Sequence, residues 1–467
     1  MAPLSQRVKS PPLRPLNLMQ YGSRPLSFRS HRSRSNPYWV LVLLLLLVGS
    51  AFVLQALQKE EIRSPFLPTP YPTRTANSYA LEGQTHFAAG NLNKAIDAYK
   101  EAARLDPNDP MLLVEQARIQ TYSSAMLTTD AEKRDRLLEA LDAITRARDL
   151  SPEDSTVRAV RAFVLDWLAS PSLVGDEYTK YLVEAEQEAV RALQLDNQNT
   201  LALVYYAEIL IDQLKLTQAQ QFIGQALQRN DESMDLHRVN AFILENYGDY
   251  AGAIEEYKRA AAITPNLTSL YISIGVNYRQ IKRYDDALEY FTKAVTINEQ
   301  LGIRDPIPYL AIGKTYSQTG DFFAAGLNVR KALLYNPTNA DVYGSLGVIY
   351  FKARNYETAI LALKCTVRGC SAEESCAVRN RGEACDEAEN AQSAAVEGLP
   401  LTSSTVVYYF TYASALAGMH RPYNDYCQEA MQVMSEVRRG FSEDTTILSI
   451  IEPSEQICES FGYSRLN

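Results

Sequence analysis

The chain has 467 residues and a formal net charge of −9, so its surface is acidic on balance. An acidic surface repels the phosphate backbone, which argues against a nucleic-acid-binding protein. Residues 1–37 run against this trend, because they carry seven Lys or Arg and no acid among many Ser and Pro. We expect a basic, disordered cytoplasmic tail there.

Residues 38–58 contain no charged side chain and are rich in Leu and Val. Since about twenty apolar residues in a helix cross a bilayer core of about 30 Å, this run predicts one transmembrane helix. Basic residues are retained on the cytoplasmic side, so the amino terminus is expected inside and the remainder outside. Two alternatives stay open: a signal peptide cleaved near Gly49-Ser50-Ala51, and the reverse topology, with the remainder in the cytoplasm.

Residues 59–75 hold four prolines and predict an extended linker. From residue 76 to residue 371, two apolar-periodic helices separated by a turn recur about every 34 residues. Small residues stand at positions 8, 20 and 27 of the unit, a large residue at 24 and often Pro at 32. In the first unit these are Gly83, Ala95, Ala102, Tyr99 and Pro107. The spacing returns in the units that begin at Met234, Thr268, Pro306 and Ala340.

This spacing resembles the tetratricopeptide repeat (TPR). The resemblance implies an all-α fold, a right-handed TPR superhelix or α–α solenoid, preceded here by the transmembrane helix. Small residues at 8 and 20 let the two helices of a hairpin approach closely, and the residues at 24 and 27 are expected to pack against the next hairpin. Residues 405–440 predict a final hairpin, and residues 441–467 a C-terminal cap.

In this family the first helices line a concave groove, which implies a protein or peptide partner and no small-molecule substrate. Carried over by position, the candidate groove residues are Arg238, Phe242, Glu245, Asn246, Val276, Arg279, Gln280, Lys314, Gln318 and Lys352. The lysine and asparagine pair with which chaperone-binding members hold a terminal carboxylate is absent from every unit.

All six cysteines lie in the last part of the chain, and residues 372–404 form a Cys-containing insertion that breaks the repeat. On the outer side of a membrane an even, clustered set predicts disulfides, although zinc is an alternative and the pairing stays open. The disulfide candidates are Cys365, Cys370, Cys376, Cys385, Cys427 and Cys458.

The sequence contains no phosphate-binding loop, dinucleotide fingerprint, zinc-protease motif or nucleophile elbow. We therefore expect no catalytic, metal or cofactor site. The sequence predicts a membrane-anchored scaffold outside the cytoplasm, an accessory part of an envelope secretion or assembly complex. The alternative is an enzyme or metal-binding protein with its site in the Cys-rich C-terminal region.

Overall fold

The computed structural model describes residues 36–58, 74–127, 129–229, 233–386 and 393–465. The expected basic tail, apart from its last two residues, and most of the expected linker lie outside this range. The chain divides into two compact units, Met1–Thr73 and Arg74–Asn467.

The first unit contains a single described helix, α1, at Pro37–Gln58. Its start is fixed by Asn36, whose side-chain oxygen accepts a hydrogen bond from the Tyr38 backbone N–H at 3.2 Å. Its described side chains are exposed. Within the part of the chain that the structure describes, no helix combines the length and the apolar character needed to cross a membrane.

The second unit is built from helical hairpins, each with two antiparallel helices and a short turn. The first five hairpins are formed by α2 (Ala76–Ala88) and α3 (Leu92–Leu105), α4 (Pro110–Ser124) and α5 (Asp130–Leu150), α6 (Ser155–Leu168) and α8 (Tyr178–Leu195), α9 (Thr200–Asp212) and α10 (Leu216–Leu227), and α11 (Met234–Asn246) and α12 (Tyr250–Ile263). A short helix, α7 (Pro171–Val174), fills the longer connection between α6 and α8.

Three further hairpins follow, then a short helix, a final hairpin and a last helix. They are α13 (Thr268–Gln280) and α14 (Tyr284–Leu301), α15 (Ile307–Thr319) and α16 (Phe322–Tyr335), α17 (Ala340–Lys352) and α18 (Tyr356–Val367), α19 (Ala372–Arg379), α20 (Val406–Met419) and α21 (Cys427–Gly440), and α22 (Thr445–Ser460). The described residues contain isolated β-bridges but no strand. The prediction of an all-α solenoid is confirmed.

Glycine at position 8 sets the distance between the two helices of a hairpin. A Cβ atom added at Gly275 would lie 2.5 Å from the ring of Phe291, the residue at position 24 of the same hairpin. The same relation holds between Gly83 and Tyr99 at 2.6 Å. The sequence argument assigned the residue at position 24 to the next hairpin, whereas the structure packs it over the glycine of its own. A flat or branched side chain fills the space that the missing Cβ leaves.

Among the described residues, side chains from successive hairpins merge into two long cores and a smaller cluster around Leu165. One runs from the first hairpin to Ile312, and the other from Tyr309 to Cys458. Each hairpin leaves an apolar face that only its neighbour covers, and this explains why the cores extend along the array.

The array also contacts itself beyond nearest neighbours. The Asn266 side chain, just before α13, donates a hydrogen bond to the Ala88 carbonyl at 3.2 Å, although 178 residues separate them. Gly90 follows in the first turn with φ +78°, and a Cβ there would collide with the Asn266 carbonyl. The first hairpin therefore lies against the start of the sixth, and the turn of the solenoid closes on itself.

The C-terminal part is tied together by three disulfides, Cys365–Cys370, Cys376–Cys385 and Cys427–Cys458. The disulfide prediction is confirmed, and the structure supplies the pairing that the sequence left open. The third bond joins the final hairpin to α22, which ends the array.

The described part of the insertion folds back on α18. The Cys370 and Val396 backbones exchange two hydrogen bonds, each 2.9 Å long, and the Leu399 N–H donates to the Thr366 carbonyl at 2.7 Å. Arg368 then connects α18 to the final hairpin through ion pairs with Glu429 and Glu436. The insertion thus interrupts the repeat in the sequence, but the final hairpin still packs next to α18 in the structure.

The contact between positions 8 and 24 gives a matched pair of Gly→Ala substitutions. Gly275→Ala should lower the free energy of unfolding by about 1–3 kcal/mol, because the new methyl group overpacks a fully buried ring. Gly224→Ala in α10 meets nothing within 4 Å and should raise it by about 0.5–1 kcal/mol through helix propensity. Urea unfolding followed by circular dichroism measures both, and equal effects would contradict the packing argument.

Candidate partner-binding cleft

First helices of five successive hairpins converge on one cleft of about 540 Å³. The α6–α8 connection and Tyr257 of α12 complete the lining, but most of it comes from first helices, so the cleft lies on the face that these helices form. Its lining is mixed aromatic, carboxylate and hydroxyl, with one guanidinium. The lining residues are Tyr122, Ala125, Asp166, Trp167, Ala169, Ser170, Pro171, Glu208, Asp212, Arg238, Phe242, Tyr257, Ser269, Leu270 and Ser273.

Arg238 of α11 is held in the wall of the cleft by Glu208 of α9. Two guanidinium nitrogens donate to the two carboxylate oxygens at 2.7 and 2.6 Å, a bidentate arrangement. The guanidinium carbon also lies 5.5–5.9 Å from the ring centroids of Tyr122, Phe163 and Trp167, within cation–π range. The Trp167 ring N–H donates to Glu208 at 3.1 Å. Both terminal nitrogens of Arg238 are therefore engaged by Glu208, whereas its Nε is buried without a hydrogen-bond partner.

A second polar cluster, beside the first, crosses the interior from α4 to α11. The buried Asp235 carboxylate accepts from Arg118 at 3.1 Å, from Tyr205 at 3.0 Å and from the Tyr122 hydroxyl. Burial and the nearby carboxylate raise the pKa of Tyr122 and Tyr205 well above the ordinary value, so both phenols stay protonated and donate. These contacts close the inner face between the second and fifth hairpins.

Two further carboxyl groups face the cleft without an ionic partner. Asp166 at the end of α6 is 4% exposed, and its Oδ1 is buried with no hydrogen-bond donor. Burial and the carboxylates of Asp212 and Glu208 raise its pKa well above the ordinary value. Asp212 at the end of α9 lies at the mouth, where desolvation of its carboxyl group and the charge of Glu208 raise its pKa to about 7.

Only some of the predicted groove residues line this cleft. Arg238 and Phe242 line the cleft. Glu245 accepts hydrogen bonds from Tyr257 and Asn277.

The other predicted groove residues do not line this cleft. Val276 and Arg279 are partly buried, and Arg279 donates to the Ala311 carbonyl at 3.4 Å. The exposed ones among the set, each on the surface of its own hairpin, are Asn246, Gln280, Lys314, Gln318 and Lys352.

The position rule missed Asp166, Trp167 and Asp212 for an identifiable reason. Asp212 stands at position 13 of the unit that begins at Thr200, and Asp166 and Trp167 stand at positions 12 and 13 of the unit that begins at Ser155. In this family positions 2, 5, 9, 12 and 13 of the unit face the groove. Positions 12 and 13 are therefore groove positions, but both units match the repeat weakly and only the central units supplied the predicted residues. Applying the rule to every unit would have found them.

The alternative prediction was an enzyme or metal-binding protein with its site in the Cys-rich C-terminal region. All six cysteines are in disulfides. In the described ranges, no group of three or more His, Cys, Asp or Glu side chains is arranged to hold a metal ion. Nothing in the geometry of this region favours the alternative.

Models of the tetratricopeptide repeat match residues 76–109, 268–301 and 329–361. These matches and the stacked hairpins establish that the chain carries tetratricopeptide repeats. The first two matches coincide with α2–α3 and α13–α14.

Curated relatives are similar over parts of their length. The chain is 28% identical over 112 residues to the BBSome complex member BBS4 of Bos taurus, which is 24% of this chain and 21% of that protein. It is 25% identical over 236 residues to DnaJ homolog subfamily C member 7 of Homo sapiens, 47% of this chain and 45% of that protein. It is 24% identical to the Drosophila melanogaster BBS4 homolog over 62% of this chain and 57% of that protein. The chain thus spans less than two thirds of each relative.

Two solved structures align with parts of the chain. The crystal structure of the APC/C hetero-tetramer Cut9-Hcn1 aligns with a TM-score of 0.47 and 14% identity, over 65% of this chain and 53% of that one. The crystal structure of MamA aligns with a TM-score of 0.30 and 20% identity, over 35% of this chain and 93% of that one.

The Arg238–Glu208 pair should be essential to the folded inner face. Arg238→Ala leaves a buried carboxylate without its partner and should lower the free energy of unfolding by about 3–5 kcal/mol. Arg259→Ala removes an arginine whose side chain is 64% exposed, from a pair with Glu256, and should cost less than about 1 kcal/mol. Denaturant unfolding of both variants measures the difference.

A double variant tests whether the unpaired charge of Glu208 causes this loss of stability. The double variant Arg238→Met with Glu208→Gln removes both charges, so it should recover part of the stability that Arg238→Ala loses. A double variant as unstable as the single one would show that packing of the arginine, and not the uncompensated charge, dominates.

Proposed function

We propose that the chain is a scaffold that binds a protein or peptide partner in the cleft on the inner face of its repeat array. The observation that carries the proposal is the convergence of first helices from five hairpins on one open, chemically mixed cleft. Such a surface suits an extended segment with alternating side chains better than a compact small molecule. One relative is named as a member of the BBSome complex, which agrees with a role in an assembly.

The narrower form of the proposal places this scaffold at a membrane, with the array outside the cytoplasm. The uncharged run at residues 38–58 and the basic tail before it support this arrangement. The three disulfides support it as well, because such bonds persist in oxidising compartments. A scaffold so placed would serve as an accessory part of an envelope secretion or assembly complex.

Site-specific cross-linking in the native membrane tests the binding proposal. A photoreactive phenylalanine analogue in place of Phe242, inside the cleft, should join the chain to a partner protein that mass spectrometry identifies. The same analogue in place of Phe323, which is 74% exposed on α16, is the control and should not capture that partner. The same adducts from both positions, or none from Phe242, would contradict binding in the cleft.

Protease treatment of intact cells tests the location. We expect the array to be digested from outside and an epitope tag at the amino terminus to be protected, because the basic tail is retained inside. Charge substitutions in the apolar run, Leu44→Arg with Leu46→Arg, should release the chain into the soluble fraction. Digestion of the array only after cell lysis would overturn the proposed orientation.

A further inference from the structure

The cleft contains more acidic groups than its single arginine neutralises. Asp166, Glu208 and Asp212 supply three carboxyl groups, and Arg238 supplies one guanidinium. Both Arg238 nitrogens that reach a carboxylate are used by Glu208. Against the effect of burial, which raises the pKa of Asp166 and Asp212, the charge of Arg238 lowers it from a distance, but neither carboxyl group forms an ion pair with Arg238, and Asp166 is buried with Oδ1 unpartnered. A buried carboxyl group without a partner is costly to ionise, so it stays protonated in the empty cleft, and a bound cation would favour its ionised form.

We propose that the cleft receives the cationic side chain of an arginine or lysine on the partner, with Asp166 and Asp212 as its anionic contacts. This inference rests on the proposed function and names the chemistry of the recognised segment.

The chain itself shows how such a group is held. Arg238 lies between the Glu208 carboxylate and the rings of Tyr122, Phe163 and Trp167. Beside it, the cleft repeats these components, since the free carboxyl groups stand next to the accessible Trp167 and Phe242. A second cation would thus meet both charge and aromatic faces, the two features that stabilise a guanidinium or ammonium group.

The connection between α6 and α8 shapes the entrance. The longer loop places Ser170 and Pro171, immediately before and within α7, on the rim of the cleft beside Asp166. Ser269 and Ser273 on α13, the last helix that contributes to the lining, supply hydroxyls as neutral hydrogen-bonding groups. The insertion that weakens the repeat match therefore helps to enclose the position offered to the cation.

The chain has a built-in reporter for this site. It contains two tryptophans, Trp39 in α1 and Trp167 in the cleft, so Trp39→Phe leaves the cleft tryptophan as the sole source of indole fluorescence. The experiment titrates the full chain carrying Trp39→Phe, in detergent, with Gly-Gly-Arg-Gly-Gly. The peptide with citrulline in place of Arg is the neutral, nearly isosteric control.

We expect a saturable fluorescence change with the arginine peptide and a response at least tenfold weaker with the citrulline peptide. Asp166→Asn combined with Asp212→Asn should weaken binding of the arginine peptide at least tenfold. Asp97→Asn, an exposed carboxylate on α3, should leave it unchanged. The Asp166→Asn, Asp212→Asn variant should unfold at the same temperature as the parent or a higher one, which separates loss of the site from loss of the fold.

The pH dependence supplies an independent readout. The raised pKa values of Asp166 and Asp212 favour the neutral carboxyl groups in the empty cleft, whereas pairing with a cation requires the ionised ones. Affinity should therefore rise as pH increases through about 7, the value to which the pKa of Asp212 is raised. The other charged or titratable groups around these carboxyls are Tyr122, Glu208, Arg238 and Tyr257 in the lining, and the Glu186–Lys215 pair beside α9.

The outcomes are distinguishable from those of the proposed function. Equal binding of arginine and citrulline peptides, or unchanged binding in the Asp166→Asn, Asp212→Asn variant, would overturn the inference. A response to Ca²⁺ or Mg²⁺ alone that outcompetes the arginine peptide would overturn it in favour of a metal site. If Phe242 cross-links a partner while no cationic peptide binds, the scaffold proposal stands and this inference fails. If neither occurs, both fail.

Discussion

The contact between a glycine on the first helix of a hairpin and a large side chain on the second determines how close the two helices can lie. Phe291 over Gly275 and Tyr99 over Gly83 are examples, and each buries a ring against bare backbone. With the helices at that distance, the alanines at positions 20 and 27 also fit, and the hairpin becomes a thin plate with an apolar face on each side. A plate of this kind is stable only against another plate, so the array and its two long cores follow from the contact.

Stacking places the first helices side by side on the inner face, where charged side chains from different hairpins form ion pairs. Arg238 and Glu208 come from adjacent hairpins, as do Trp167 and Glu208. A buried bidentate pair is stable only when both partners are present, and the aromatic rings exclude water from it. The inner face thus holds a paired charge surrounded by aromatic rings, and beside it Asp166 and Asp212, whose carboxyl groups have raised pKa values and form no ion pair within the chain.

Much of this architecture is readable in the sequence, because the spacing of small and large residues repeats along the chain. The presence of disulfides is readable as well, but their pairing is not, since it depends on how the insertion folds back onto α18. The position rule placed Arg238 in the groove, yet it gave no sign that Glu208, one hairpin earlier, occupies its guanidinium. Asp166 stands at a groove position of a unit with a weak match to the repeat, so carrying the rule to that unit would have found it. For the Arg238–Glu208 pair, the missing information is a contact between different hairpins, which a periodic pattern within one hairpin does not carry.

The contact of Asn266 with Ala88 and the pair of Arg118 with Asp235 have a bearing on how the chain folds. In an open solenoid each unit touches only its neighbours, so stability is close to a sum of local terms and the ends fray independently. Here the second hairpin is bonded to the fifth, and the first to the start of the sixth. Unfolding of one end would break these contacts and destabilise hairpins several units away. The hairpins that they join are therefore expected to unfold as one cooperative unit.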